Sequence, residues 1–129
     1  MTHEQLQQWL DAYKEAWENR DVDAAVNLFA DNATYQETPY DSLLKGRRDI
    51  QDYWARVPKE QDQVRFTYEA LYAGPDQGIA RWWGSFNRIP SGSHVELDGV
   101  LIVKLDAQGK CSYFREWWHR RETEKGVII

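Results

Sequence analysis

Gly99-Val100-Leu101-Ile102-Val103-Lys104-Leu105, Asp106-Ala107-Gln108-Gly109, and Tyr113-Phe114-Arg115-Glu116-Trp117-Trp118-His119 form the stretch whose reading decides the fold. The first run is almost wholly apolar. A strand with one wet face alternates with polar residues, so this one is read as covered on both faces. Asp at the first position and Gly where the backbone needs positive φ make 106–109 a turn. The returning run mixes large aromatics with an acid, a base and an imidazole. It is too polar for plain core and too aromatic for plain surface, which suggests a cavity wall on one side and a partner surface on the other.

Working outward, Val64, Phe66, Tyr68, Ala70 and Tyr72 alternate with polar residues, and Gly74-Pro75-Asp76-Gln77-Gly78 turns the chain. Residues 79–89 read as a long strand and Pro90-Ser91-Gly92-Ser93 as another turn. Four long strands in a meander result. Helices precede them. Thr2 and Gln5 form a capping box, and Leu6, Trp9, Leu10, Tyr13 and Trp17 recur at helical spacing to about Asn19. Asp21 caps a second helix carrying Val22, Ala25, Val26 and Phe29, ended by Asp31-Asn32. Residues 33–37 read as a strand stopped by Thr38-Pro39, and 43–46 as a loop. A third helix has Ile50, Tyr53, Trp54 and Val57 on one face and stops at Pro58. The class is α+β, an antiparallel sheet with helices on one face, in a single domain over residues 1–129. The tail after Arg121 is expected to fray.

A length of 129 residues suffices for a real core, and a net charge of −5 argues against nucleic acid as the main partner. The single cysteine, Cys111, excludes an internal disulfide, and with no basic cluster beyond Lys110 it reads as inert. His3, His94 and His119 are scattered and make no metal site. No apolar run approaches about 18 residues and the N-terminus is a polar helix pattern, so the expectation is a soluble, cytoplasmic protein with no membrane contact. Seven Trp, seven Tyr and four Phe either fill the core or line a pocket. Trp17, Tyr35, Tyr40, Trp54, Trp82, Phe86 and Trp118 are the candidate wall, and they point to a flat apolar or aromatic ligand. The alternative is that the indoles close the space completely.

Specific words meet this order of elements. Asp21-Val22-Asp23 with Leu28-Phe29-Ala30-Asp31-Asn32-Ala33-Thr34-Tyr35, then Gly46-Arg47-Arg48-Asp49-Ile50-Gln51-Asp52-Tyr53-Trp54, then residues 99–104 with Arg115-Glu116-Trp117-Trp118, resemble the NTF2-like superfamily. Its SnoaL-like polyketide cyclases, ketosteroid isomerases and limonene epoxide hydrolases share a cone, in which a strongly curved, mostly antiparallel sheet wraps three N-terminal helices around a pocket. The resemblance implies inward-facing Ala80, Trp82, Gly84, Phe86, Leu97, Gly99, Leu101, Val103, Phe114, Glu116 and Trp118. Arg81, Trp83, Arg115, Trp117 and His119 then lie on the convex face, through which such proteins often form homodimers.

The ketosteroid isomerase branch places a carboxylate base before the proline that ends the first strand. Here that place resembles Glu37, with Thr38 intervening before Pro39. The branch's first-helix tyrosine falls on Tyr13, and its protonated aspartate falls on Leu101, so that acid is missing. Glu116 stands where the branch has a small residue. Glu37 reads as a base of raised pKa or as an ion-pair partner of Arg47 or Arg48. Glu116 reads as a second acid or as the partner of a buried donor, and Tyr13 as a substrate donor or as ordinary core. Asp98 and His119 point outward by parity. What the resemblance implies is cofactor-free isomerase, cyclase or hydratase chemistry on an apolar ring-containing substrate. The alternatives are a non-catalytic ligand-binding domain, and a dimeric interaction module anchored by Trp83 and Trp117.

Overall fold

In the computed structural model, which describes residues 1–124, the chain opens with α1, His3–Glu18. Thr2 accepts from the Gln5 amide while the Gln5 side chain accepts from the Thr2 amide, as the capping box requires. Leu6, Trp9, Leu10, Tyr13 and Trp17 are buried along one face. The Asp21 carboxylate caps α2, Val22–Val26, by accepting from the Ala24 amide at 3.1 Å. Strand β1, Phe29–Gln36, follows at once. Phe29 therefore opens a strand instead of closing the helix. The cause is tertiary: the Cys111 amide donates to the Leu28 carbonyl and Phe29 pairs with Cys111. Asp31 and Asn32 are not a helix end; they are exposed where β1 shifts register between Phe29 and Thr34.

The expected loop at 43–46 holds β2, Leu44–Lys45, a two-residue edge strand on β1. Helix α3, Gly46–Trp54, is shorter than predicted, and Pro58 does not stop it. Pro58 lies in the first turn of α4, Val57–Glu60, where a missing N–H costs no hydrogen bond. The long strands then come in order: β3 Gln61–Ala73, β4 Gly78–Arg88, β5 His94–Leu105 and β6 Cys111–Thr123. In the β5–β6 turn, Asp106 Oδ1 accepts from the Gln108 and Lys110 amides, and Gly109 takes φ of 77°. Strand β6 continues past Arg121 to Thr123; residues 125–129 lie outside those described.

The sheet runs β2-β1-β6-β5-β4-β3. All pairs are antiparallel except β1 with β6, which is parallel. Irregularities at Asp62/Arg65, Ala70/Tyr72 and Lys104/Leu105 add local twist and let the sheet curl. Its inner face and α1 share one aromatic core. Tyr35 stacks on Phe114 at 4.5 Å and 9°, and Trp9 on Tyr13 at 5.4 Å. Each such pair adds about 0.5–1.5 kcal/mol beyond the area it buries. Gly99 is needed for close approach: a Cβ there would meet the Trp117 carbonyl oxygen at 2.3 Å and the Trp118 Cβ at 2.7 Å. The outer face carries Arg81, Trp83, Asp98, Trp117 and His119, as parity predicts, and Asp98 pairs with Arg81 at 3.1 Å.

Candidate active site

The parallel β1–β6 pair builds the site. Tyr35 pairs with Phe114 and Gln36 with Arg115, so Glu37 follows on from β1 beside Glu116. Side chains alternate faces along a strand, so both acids follow the stacked Tyr35 and Phe114 on the inner face. The cavity, about 260 Å³, is lined by Glu37, Glu116, Tyr13, Tyr35, Trp17, Trp54, Trp82, Phe86 and Trp118 among others. The indoles do not close the cone. A larger depression of about 630 Å³ lies on the outer face, lined by exposed residues such as Arg121 and Glu96, which pair with each other. It contains none of the perturbed groups described next, which line the smaller cavity.

Glu116 is 6 % exposed. Burial, and then the charge of Glu37, push its carboxyl well above the usual carboxylate range. Glu37 is half-buried, and burial followed by the charge of Asp41 raises it too, with Arg56 pulling the other way. Arg47 is committed elsewhere, to Asp31 at 3.2 Å and the Phe29 carbonyl at 2.8 Å, and Arg48 is exposed. Arg56 sits over the Tyr53 ring at 4.7 Å, with Glu60 at 3.9 Å. Burial and the Glu116 charge hold the Tyr13 hydroxyl well above its ordinary value, partly offset by hydrogen bonding with Tyr35. Tyr35 is raised by burial and by Tyr13. Two acids and two phenols thus line one cavity. There a carboxyl that keeps its proton can donate it, and a neighbouring carboxylate can accept one.

Three expected wall residues are elsewhere. Tyr40 is 101 % exposed, carried outward on the segment after Glu37, where the Gln36 amide donates to the Asp41 carbonyl. Leu101 and Phe114 are fully buried and fill the core beneath the cavity floor instead of lining it. Cys111 is buried and its thiol is pushed up to about 12, so it is not a thiolate nucleophile. Missed were Tyr53, Arg56 and Glu60 at the rim, together with Arg88 and Arg120. The two arginines were findable by parity, since Arg88 stands two past Phe86 and Arg120 two past Trp118. Tyr53, Arg56 and Glu60 depended on the break between α3 and α4.

A mostly antiparallel sheet curled around helices, with a pocket on its inner face, is the architecture of the NTF2-like class. Residues 10–114 match the family described as SnoaL-like domain, and the chain belongs to that family. No curated protein sequence matches it significantly. Solved structures do. SalBIII, an epoxide hydrolase/cyclase-like enzyme with a role in pyran ring formation in the polyether salinomycin, is 23% identical with a TM-score of 0.79, over 92% of this chain and 95% of that one. A structure described as a putative isomerase from Bacillus subtilis is 19% identical, TM-score 0.81, over 92% and 90%. A hypothetical protein with a ketosteroid isomerase-like fold from Catenulispora acidiphila, in complex with trimethylamine, is 17% identical, TM-score 0.74, over 84% and 83%. At these identities the likeness is one of fold.

Proposed function

We propose that this chain binds a small, apolar, ring-containing molecule and carries out cofactor-free acid/base chemistry on it, such as isomerisation, cyclisation or hydration. Glu37 is the base, Glu116 the proton-holding acid, and Tyr13 orients or donates to a substrate oxygen. The supporting observation is the pair itself: two carboxyls raised by burial, Glu116 further by the Glu37 charge and Glu37 by the Asp41 charge, lining one aromatic-walled cavity, with no described cation paired to Glu116. A cavity of about 260 Å³ falls just below the usual range of roughly 300–1,000 Å³ for ligand pockets, which favours one or two rings.

The test is proton transfer. With 1-indanone in D₂O, deuterium entry at the carbon beside the carbonyl is followed by NMR. Glu37→Gln lowers the protein-dependent rate by about 10²–10⁴-fold if Glu37 is the base. Equal rates in both proteins remove Glu37 from the chemistry, and a ligand bound with no proton transfer leaves a binding domain. A second feature, the apolar strip on the outer sheet face, favours action as a homodimer.

A further inference from the structure

Four of the buried side chains are indoles, and their N–H groups fall into two kinds. Trp9 donates to the Leu28 carbonyl at 3.0 Å and Trp17 to Gln61 Oε1 at 2.8 Å. Trp54 and Trp82, 2 % and 1 % exposed, have Nε1 atoms buried without any acceptor. A buried donor without a partner is unusual enough to require an explanation. A phenyl ring at either place would keep most of the apolar contact and shed the unpaired donor. Both indoles line the cavity that contains Glu37 and Glu116.

The sheet register places them relative to the acids. Across the inner face, Ala80, Leu101 and Glu116 form one row, and Trp82, Gly99 and Trp118 form the next. Gly99 presents no side chain between Trp82 and Trp118, and its place is closed by the Trp117 carbonyl and the Trp118 side chain. Trp54 reaches the same cavity from α3, edge-on to Tyr13 at 5.7 Å and 89°.

We infer that the indole N–H groups of Trp54 and Trp82 are ligand donors, and that the ring compound this cavity takes carries a hydrogen-bond-accepting oxygen, carbonyl or ether, held at the indole wall. This rests on the cavity being a ligand site but not on proton transfer at Glu37. It makes Trp54 and Trp82 determinants of specificity, selecting an oxygenated ring over a hydrocarbon of the same shape.

The test uses the full chain labelled with ¹⁵N, titrated with 1-indanone and with indane, its hydrocarbon counterpart. The expected result is that 1-indanone moves the Trp54 or Trp82 Nε1–H resonance downfield at saturation while indane does not. The ketone binds about tenfold tighter, the effect of one hydrogen bond gained by a buried donor. Trp82→Phe and Trp54→Phe, taken singly, narrow that preference. If a variant fails to fold, the wild-type titration still decides. Resonances unmoved by the ketone, equal affinity for both probes, or no ketone binding at millimolar concentration each overturn the inference. They would leave the N–H groups resting on neighbouring rings. Deuterium entry that depends on Glu37 with both indole resonances unmoved would overturn this inference alone. Resonances that move without deuterium entry would overturn the acid/base reading alone.

Discussion

At Glu37 and Glu116 one environment does two things. Burial disfavours charge on both, and the Glu37 charge disfavours it further on Glu116, so the two protons leave in separate steps. Glu116 is the more deeply buried and keeps its proton longer. The deuterium-entry rate should then be bell-shaped in pH, rising as the first proton leaves the pair and falling as the second does. A rate that climbs steadily through the carboxylate range and never falls would exclude an acid role for Glu116. Stability has a definite sign as well. Both folded-state values lie above the unfolded ones, so the folded chain binds more protons. Stability from these groups is full below the ordinary carboxylate range and is lost as pH rises toward the folded values. Glu116→Gln removes the Glu116 share of this dependence, so melting curves at pH 4 and pH 7 should show wild type losing ground to the variant on going up. A wild type that gains on the variant instead would contradict the buried, uncompensated carboxyl. Both acids were legible in the sequence from their place relative to Pro39 and the last strand. Tyr40 was misplaced because aromaticity says what a side chain prefers, whereas the Gln36 amide and the Thr38-Pro39 turn decide where this one goes.

At the scale of elements, the site exists because β1 runs parallel to β6. Alternation and turn residues revealed the four long strands, whose pairing is between chain neighbours. The β1–β6 pair joins segments about 80 residues apart, and no reading of the sequence placed it; periodicity has no signal for such a pairing. The break between α3 and α4 was hidden for a related reason, since proline in a sequence marks either a stop or a first turn. Two substitutions test this frame. Asp21→Ala removes the cap on the Ala24 amide and should cost about 1 kcal/mol in denaturant unfolding. Gly99→Ala drives a Cβ into the Trp117 carbonyl and the Trp118 side chain, a backbone contact that cannot swing away. Such overpacking typically costs about 1–3 kcal/mol. The change also forces a shift at Trp118, which lines the cavity, so 1-indanone affinity should fall with it. A fully stable Gly99→Ala protein with unchanged ligand binding would mean that β5 and β6 are not held as closely as described.

For the molecule as a whole, the inner face carries the proposed site and the outer face carries an apolar strip. Val100 and Trp117, 37 % and 44 % exposed, stand opposite one another across β5 and β6. Trp83 lies nearby on β4, covered in part by the Arg81 guanidinium at 4.7 Å. Beside this apolar strip, Arg81 with Asp98 and Arg121 with Glu96 alternate in sign. A surface that carries both charges beside an apolar centre can meet a copy of itself across a two-fold axis, and two-fold dimers are the commonest soluble assemblies. The expected mass by light scattering at micromolar concentration is therefore twice the 15.3 kDa of the chain. Trp117→Lys places a charge at the centre of that contact, where it is either buried unpaired or prevents association. The variant should run as a folded monomer, with circular dichroism unchanged because Trp117 packs outside the core, and its cavity should still bind ring compounds. A wild type that is already monomeric at these concentrations, or a Trp117→Lys protein that remains dimeric, would remove the outer face as the dimer contact. The apolar strip would then be left without a partner.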